Sequence, residues 1–244
     1  MTSAIDRTEN VILDICLVEV KFYFERNGVM EISEKNHQYI TMLADIFDIS
    51  SSLGIRTFIW GGLSIDIWEG RFLREHGDLD GFVENLIECL EAMTSEYVKR
   101  GYKVTFNREF SILEVAKDLV HASFNPLKIN EKIAEWKHIG NDGSVFFPLE
   151  WLDEFPRLFY NTKAYTSGIR FEYAVKTKVS MLHPKWQLRE KDQLAVKYMK
   201  EKLNVENILE EDIYKWFWSY NPYWYKQGFD EFFRPAIAYP IQHK

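Results

Sequence analysis

The stretch Trp60–Val83, WGGLSIDIWEGRFLREHGDLDGFV, decides how the chain is read. Two adjacent glycines, Gly61 and Gly62, close the short β-prone run RTFIW, and the segment LSIDIWEG after them has helical periodicity with Gly70 as its stop. The paired glycines therefore belong to a strand-to-helix turn. Past a connection carrying basic residues and a histidine come Asp78 and Asp80, at the head of the alternating run DLDGFV. Side chains at i and i+2 of a strand share a face, about 6–7 Å apart. Two carboxylates so placed repel each other and force one pKa upward unless a cation lies between them; magnesium takes hard oxygen ligands and leaves room for phosphate oxygens. The Gly-Gly turn lets the backbone approach a phosphate closely and sets helix N–H groups behind it. A DxD alone also occurs as a solvated strand end, and Gly-Gly as a mere turn, so it is the combination that carries weight.

Outward from this stretch, residues 8–25 and 36–53 have apolar positions at helical spacing. After DLDGFV, the segment ENLIECLEAMTSEYVKRG predicts an amphipathic helix closed by Gly101, followed by three strand candidates, YKVTF, FSILEVA and LVHASFNPL. Lys117-Asp118 is the expected turn between the last two. Beyond Pro126 the pattern is less regular, with a hairpin expected in LFYNTKAYTSGIRFEY and helical segments near 174–183, 188–202 and 206–218. The expected fold is α/β (α+β), a mixed sheet with packed helices followed by a helical part. Its divisions are a helical extension over residues 1–38, an α/β domain over 39–170 and a helical, aromatic-rich domain over 171–244.

Composition narrows the function classes. A net charge of -7, from 37 acidic and 30 basic residues, offers no general field for a polyanion and argues against nucleic acid as a partner. The two cysteines, Cys16 and Cys89, sit in apolar periodic segments without metal-ligand spacing, which argues for a reducing, cytoplasmic setting. No run approaches the length of a membrane span, so no membrane partner is expected. The aromatic run WFWSYNPYWYKQGFDEFF fits packed core or a homodimer interface, with an acceptor pocket as the alternative.

The glycine turn and DxD together resemble the lincosamide nucleotidyltransferases and the related aminoglycoside adenylyltransferases of the DNA polymerase beta-type nucleotidyltransferase superfamily. Gly61, Gly62, Asp66, Gly70, Arg74, His76, Asp78 and Asp80 match that motif without a gap, and a weaker similarity extends over about residues 40–200 through GYKV, NPL and REKDQL. The resemblance implies that Asp78 and Asp80 hold Mg²⁺, that Gly61, Gly62 and Ser64 bind the triphosphate, and that Arg74 lies near phosphate or braces its loop. It places Lys191 and Asp192 in the helical half, facing the cleft. The implied reaction is in-line attack by a small-molecule hydroxyl on the α-phosphorus of a nucleoside triphosphate, ATP above all, with pyrophosphate leaving and an antibiotic among the candidate acceptors. One departure stands out: the third carboxylate of the family falls on Ser123, and its histidine on Asn125. Serine neither binds magnesium as an anion nor takes a proton at neutral pH. Glu114 on the preceding strand and His121 on the same strand face as Ser123 are the substitutes, and the alternative is a catalytically degenerate nucleotide-binding protein. His76 and Asp66 also read as structural partners that tie the intervening loop, and Lys191-Asp192 as a solvated helix face.

Overall fold

The computed structural model describes residues 32–138, 143–178 and 188–220. Helix α1, Glu34–Ser52, starts at Ser33, whose hydroxyl accepts the Asn36 N–H at 3.2 Å, and it buries Tyr39, Met42, Leu43, Ile46 and Ile49 along one stripe. Strand β1, Thr57–Trp60, leads through Gly61 into α2, Gly62–Glu69, which Gly70 ends in the left-handed conformation. Strand β2, Leu79–Glu84, and helix α3, Leu86–Lys99, follow as expected. Strands β3, Lys103–Asn107, β4, Ile112–Lys117, and β5, Val120–Asn130, form a meander whose last turn is centred on Asp118 and Leu119, one residue later than the sequence suggests. The positive φ of Asp118, 51°, suits a short polar residue in a tight turn.

Order continues past Pro126, where the sequence pattern is irregular. Strand β5 runs through the proline, and β6, Ile133–His138, and β7, Gly143–Pro148, complete a second meander. The proline is tolerated because β4 pairs with β5 only as far as Phe124 and β6 pairs with it only from Leu127, so Pro126 lies where one ladder has ended and the other has not begun. A short 3₁₀ turn, Leu149–Trp151, leads to the hairpin of β8, Arg157–Phe159, and β9, Thr162–Thr166. Helices α4, Ile169–Thr177, α5, Glu190–Val205, and α6, Glu210–Trp216, precede a final strand β10, Trp218–Tyr220, that returns to pair with β7. The expected helix over 8–25 and most of the aromatic C-terminal run lie outside the described residues.

The ten strands make one mixed sheet in the order β10-β7-β6-β5-β2-β1-β9-β8, with β3 and β4 attached through β5. The pairs β2/β5 and β1/β9 are parallel. Period-2 alternation divides the core between the two faces. Leu79, Val83, Leu113, Val115, Ala122 and Phe124 pack with α1 and α3 on one face. Phe58, Phe82, Leu127, Trp136 and Phe147 pack on the other with Phe171 of α4, Met199 of α5 and Phe217. Much of the aromatic content resides in this second layer: Trp60 stacks on Phe82 at 5.2 Å, and Phe147 meets Phe171 at 4.5 Å. The helical part therefore shares its core with the sheet instead of building a separate one. Among the described residues, no helix is long and apolar enough to cross a membrane.

Candidate active site

Strand register places the acidic pair. Asp80 lies opposite Trp60 on β1 and Ser123 on β5, and Ser123 lies opposite Glu114 on β4. Directly opposed residues share a face, so Trp60, Asp80, Ser123 and Glu114 form one row across four strands, on the side covered by the later helices. Asp78 precedes the paired register of β2 by one residue, as His121 precedes that of β5. Asp80 is half-buried, whereas Asp78, Glu114 and His121 are exposed. Ser123 is thus a directly paired neighbour of Asp80, and Glu114 is one strand farther away.

The glycine turn closes over this row. Gly61 has φ +81°, and a Cβ there would lie 3.1 Å from Asp80 Oδ2. A Cβ on Gly62 would lie 2.2 Å from Arg74 Nη2, so the missing side chain is the space that the guanidinium occupies. Arg74 also donates to its own loop, Nη1 to the Glu75 carbonyl at 2.9 Å. Ser64 is wholly buried, with its hydroxyl donated to the Gly61 carbonyl at 2.8 Å, and so shapes the turn from inside.

The loop between turn and strand is tied from below. His76 Nε2 and Asp66 Oδ2 meet at 2.6 Å with both residues buried, the Leu73 N–H donates to the same oxygen at 3.1 Å, and Asn36 Nδ2 donates to the Arg74 carbonyl at 3.1 Å. Burial pushes the Asp66 carboxyl up, against the pull of His76. Asp66 and His76 are the structural partners that fix how Arg74 and Asp78 are presented. We expect Asp66→Asn to cost about 1–2 kcal/mol, the difference between a charge-assisted and a neutral hydrogen bond in a buried pair, measured as a lower urea midpoint with an unchanged m-value.

The helical part faces the acidic pair with cations. Arg189 Nε donates to Asp192 Oδ2 at 2.6 Å, and Lys176 Nζ to Asp192 Oδ1 at 3.4 Å. Burial works against the Asp192 charge, but these two partners hold its carboxyl below the usual range. Lys191 is exposed, yet desolvation and then the charges of Arg189 and Arg74 hold its ammonium below the usual lysine range, with Asp78 acting the other way. Opposite them, burial, Asp78 and Glu172 push the Asp80 carboxyl up to about 7, although Lys176 and Arg189 oppose the rise. The helical side thus carries three cations, two of them paired with Asp192, and the sheet side carries an acidic pair. A polyanion answers the cations and a hard cation answers the carboxylates. Among the described residues no group of three or more His, Cys, Asp or Glu side chains is placed to hold a metal ion.

Of the residues singled out in the sequence, the fold sets Gly61 against Asp80 and Gly62 against Arg74, with the charges of Asp78 and Lys191 close enough to be felt there. It adds Glu172, Lys176 and Arg189, which sequence reasoning missed. Glu172 had a signal: it is a lone acid in the apolar run FEYAV, one helical turn before Lys176. A separate cavity of about 620 Å³, lined by residues including Arg56, Lys132, Leu149 and Trp216, lies toward the other end of β1, away from the carboxylates.

The family model of the aminoglycoside-2''-adenylyltransferases matches residues 42–154, the span from α1 past the last strand of the second meander. Among solved structures, the antibiotic-resistance factor ANT(2'')-Ia in solution is similar with a TM-score of 0.55 and 13% identity, over 70% of this chain and 86% of that one. ANT(2'')-Ia in complex with adenylyl-2''-tobramycin gives a TM-score of 0.52 and 16% identity, over 69% and 94%. The lincosamide antibiotic adenylyltransferase LnuA with lincomycin bound gives 0.48 and 19%, over 69% and 97%. No curated protein sequence matches significantly. At these identities the likeness to ANT(2'')-Ia is one of fold, and the stretch that the family model matches holds the glycine turn and the DxD.

Proposed function

We propose that this chain, a relative of the aminoglycoside adenylyltransferases over residues 42–154, transfers a nucleoside monophosphate, AMP from ATP, to a hydroxyl of a small molecule of the antibiotic class. The observation that carries the proposal is the opposition of two carboxylates, set beside the glycine turn with Asp80 pushed up to about 7, to Lys176, Arg189 and Lys191 of the helical part. In this reading Asp78 and Asp80 hold Mg²⁺, which when bound screens the phosphate charge and the developing charge on the leaving oxygen. The free N–H groups at the start of α2 and the guanidinium of Arg74 orient the triphosphate, and Arg189 and Lys191 draw its charge from the helical side. The acceptor oxygen attacks the α-phosphorus, the bond to the bridging oxygen breaks, and pyrophosphate leaves with its electron pair. The acceptor proton goes to His121 or Glu114, the two exposed bases that share the face of Ser123.

Pyrophosphate release from ATP, measured with Mg²⁺ and a panel of aminoglycosides and lincosamides, tests the proposal. Release that needs both metal and acceptor supports it, and none with any acceptor sinks it. Of Glu114→Gln and His121→Ala, the one that removes the base lowers kcat about a hundredfold with little change in the KM for ATP, read from initial rates. A second reading rests on Ser123 standing opposite Asp80, where the family motif has a carboxylate: a nucleotide-binding protein without turnover. It predicts metal-dependent ATP binding by calorimetry and no pyrophosphate with any acceptor.

A further inference from the structure

Glu172 on α4 performs no step of this reaction, yet its side chain is wholly buried beside the glycine turn. Its Oε1 accepts two hydrogen bonds, from the Gly61 N–H at 2.7 Å and from the Ser167 hydroxyl at 2.6 Å, while Oε2 has no hydrogen-bond partner. Burial pushes this carboxyl up, against the charge of Lys176 one turn along α4 and the bonds from Ser167 and Gly61, and an apolar residue of similar size would be cheaper to bury. The bond it makes to a distant part of the chain is the one to Gly61, 111 residues away in sequence. The support of this bond is rigid: the Ser167 N–H donates to the Ile59 carbonyl at 2.8 Å, which ties the start of α4 to β1 two residues before the glycine. Gly61 is therefore held between two carboxylates. Glu172 grips its N–H, and Asp80 Oδ2 stands 3.1 Å from where its side chain would begin. With the Gly61 N–H committed in this way, the N–H groups of the first turn of α2, which have no intrahelical partner, are the ones left to meet a ligand.

We propose that Glu172 is the positioning residue of the phosphate turn: by holding the Gly61 peptide it sets the gap between the α2 N-terminus and Asp80, and so favours a nucleoside triphosphate over a monophosphate. This rests on the nucleotidyl-transfer reading of the site. The variants are Glu172→Met, which fills the space without an acceptor, Glu172→Ala, which admits water, and Glu172→Gln, which keeps an oxygen for both donors. Two measurements separate the local claim from the functional one: amide exchange of Gly61 by NMR on the ligand-free protein, and calorimetry of ATP against AMP at fixed Mg²⁺. We expect Gly61 exchange to quicken tenfold to a hundredfold in the Met and Ala variants and to return part of the way toward wild type in Gln, whose neutral oxygen restores an acceptor for the Gly61 N–H. The ATP-to-AMP affinity ratio should fall about tenfold in Met and Ala and recover in Gln, a pattern that general loosening would not give. Unchanged Gly61 exchange in either folded variant overturns the proposal, and so does faster exchange with an unchanged ratio. A wild type that binds neither nucleotide sinks the transfer reading and the selectivity with it, while the exchange data still decide whether Glu172 holds the turn.

Discussion

Asp80→Asn is expected to lower nucleotidyl transfer about a thousandfold and, in the same protein without metal, to raise thermal stability at pH 8. Both effects come from one carboxylate. Transfer is lost because Asn offers one neutral oxygen where the ion and the developing charge need an anion. Stability rises because burial, Asp78 and Glu172 together push the folded-state pKa to about 7, whereas an unfolded aspartate titrates near 3.9. Between about pH 4 and 7 the folded protein binds more protons at Asp80 than the unfolded chain does, so the native carboxylate costs stability as pH rises through that window. Above pH 7 the cost is complete, and below pH 4 it is absent. Allowing for the partial exposure of Asp80, the gain in the variant is about 2 kcal/mol at pH 8, or roughly 4–8 °C in Tm, fading to nothing at pH 4. Differential scanning calorimetry at the two pH values, with chelator present, reads it. An Asn variant less stable than wild type at pH 8 would mean that Asp80 is already satisfied by the protein and is not waiting for a cation.

The second large effect separates the two glycines. Gly61→Ala places a Cβ 3.1 Å from Asp80 Oδ2 on a backbone at φ +81°, a conformation that L-residues reach only with strain. We expect it to cost about 1–3 kcal/mol of stability and at least a hundredfold in transfer, because the backbone must relax away from Asp80. Gly62→Ala meets different obstacles: the tip of a flexible arginine 2.2 Å away and, at 3.3 Å, Cε1 of the His76 ring that Asp66 holds. Arg74 can swing aside and the His76 ring need give by only a few tenths of an ångström, so stability should change by about 1 kcal/mol, less than in Gly61→Ala, while the lost placement of the guanidinium raises the KM for ATP about tenfold. Urea unfolding and steady-state kinetics on the pair check this. Equal loss of stability in both variants would show that Arg74 is locked in place and not an adjustable contact of the ligand.

The glycine turn, the DxD strand and the helix behind them were legible in the sequence because each is local: a stop glycine, a period of two and a period of 3.6 leave their marks within a dozen residues. Asp66 and His76 were legible as a tie for the loop because they fall within the same motif. Strands β6 and β7 were not legible, since Pro126 signals a break and only the gap between the β4 and β6 ladders makes it harmless. Glu172 hid for a different reason. A lone acid in a helix does not disclose that a glycine amide 111 residues earlier will need it.

Sequence by itself determined that Asp80 would stand on a strand beside a glycine turn, with Asp78 just ahead of that strand, because side-chain alternation and glycine stereochemistry are properties of the local chain. Only the tertiary structure decided what surrounds them. Parallel pairing of β2 with β5 set Ser123 beside Asp80, docking of α4 brought Glu172 to Gly61, and the helical part brought the charges of Lys176 and Arg189 to bear on Asp80. These are contacts between segments far apart in the chain, fixed by which apolar faces bury together, and the charge balance of the cleft follows from that burial.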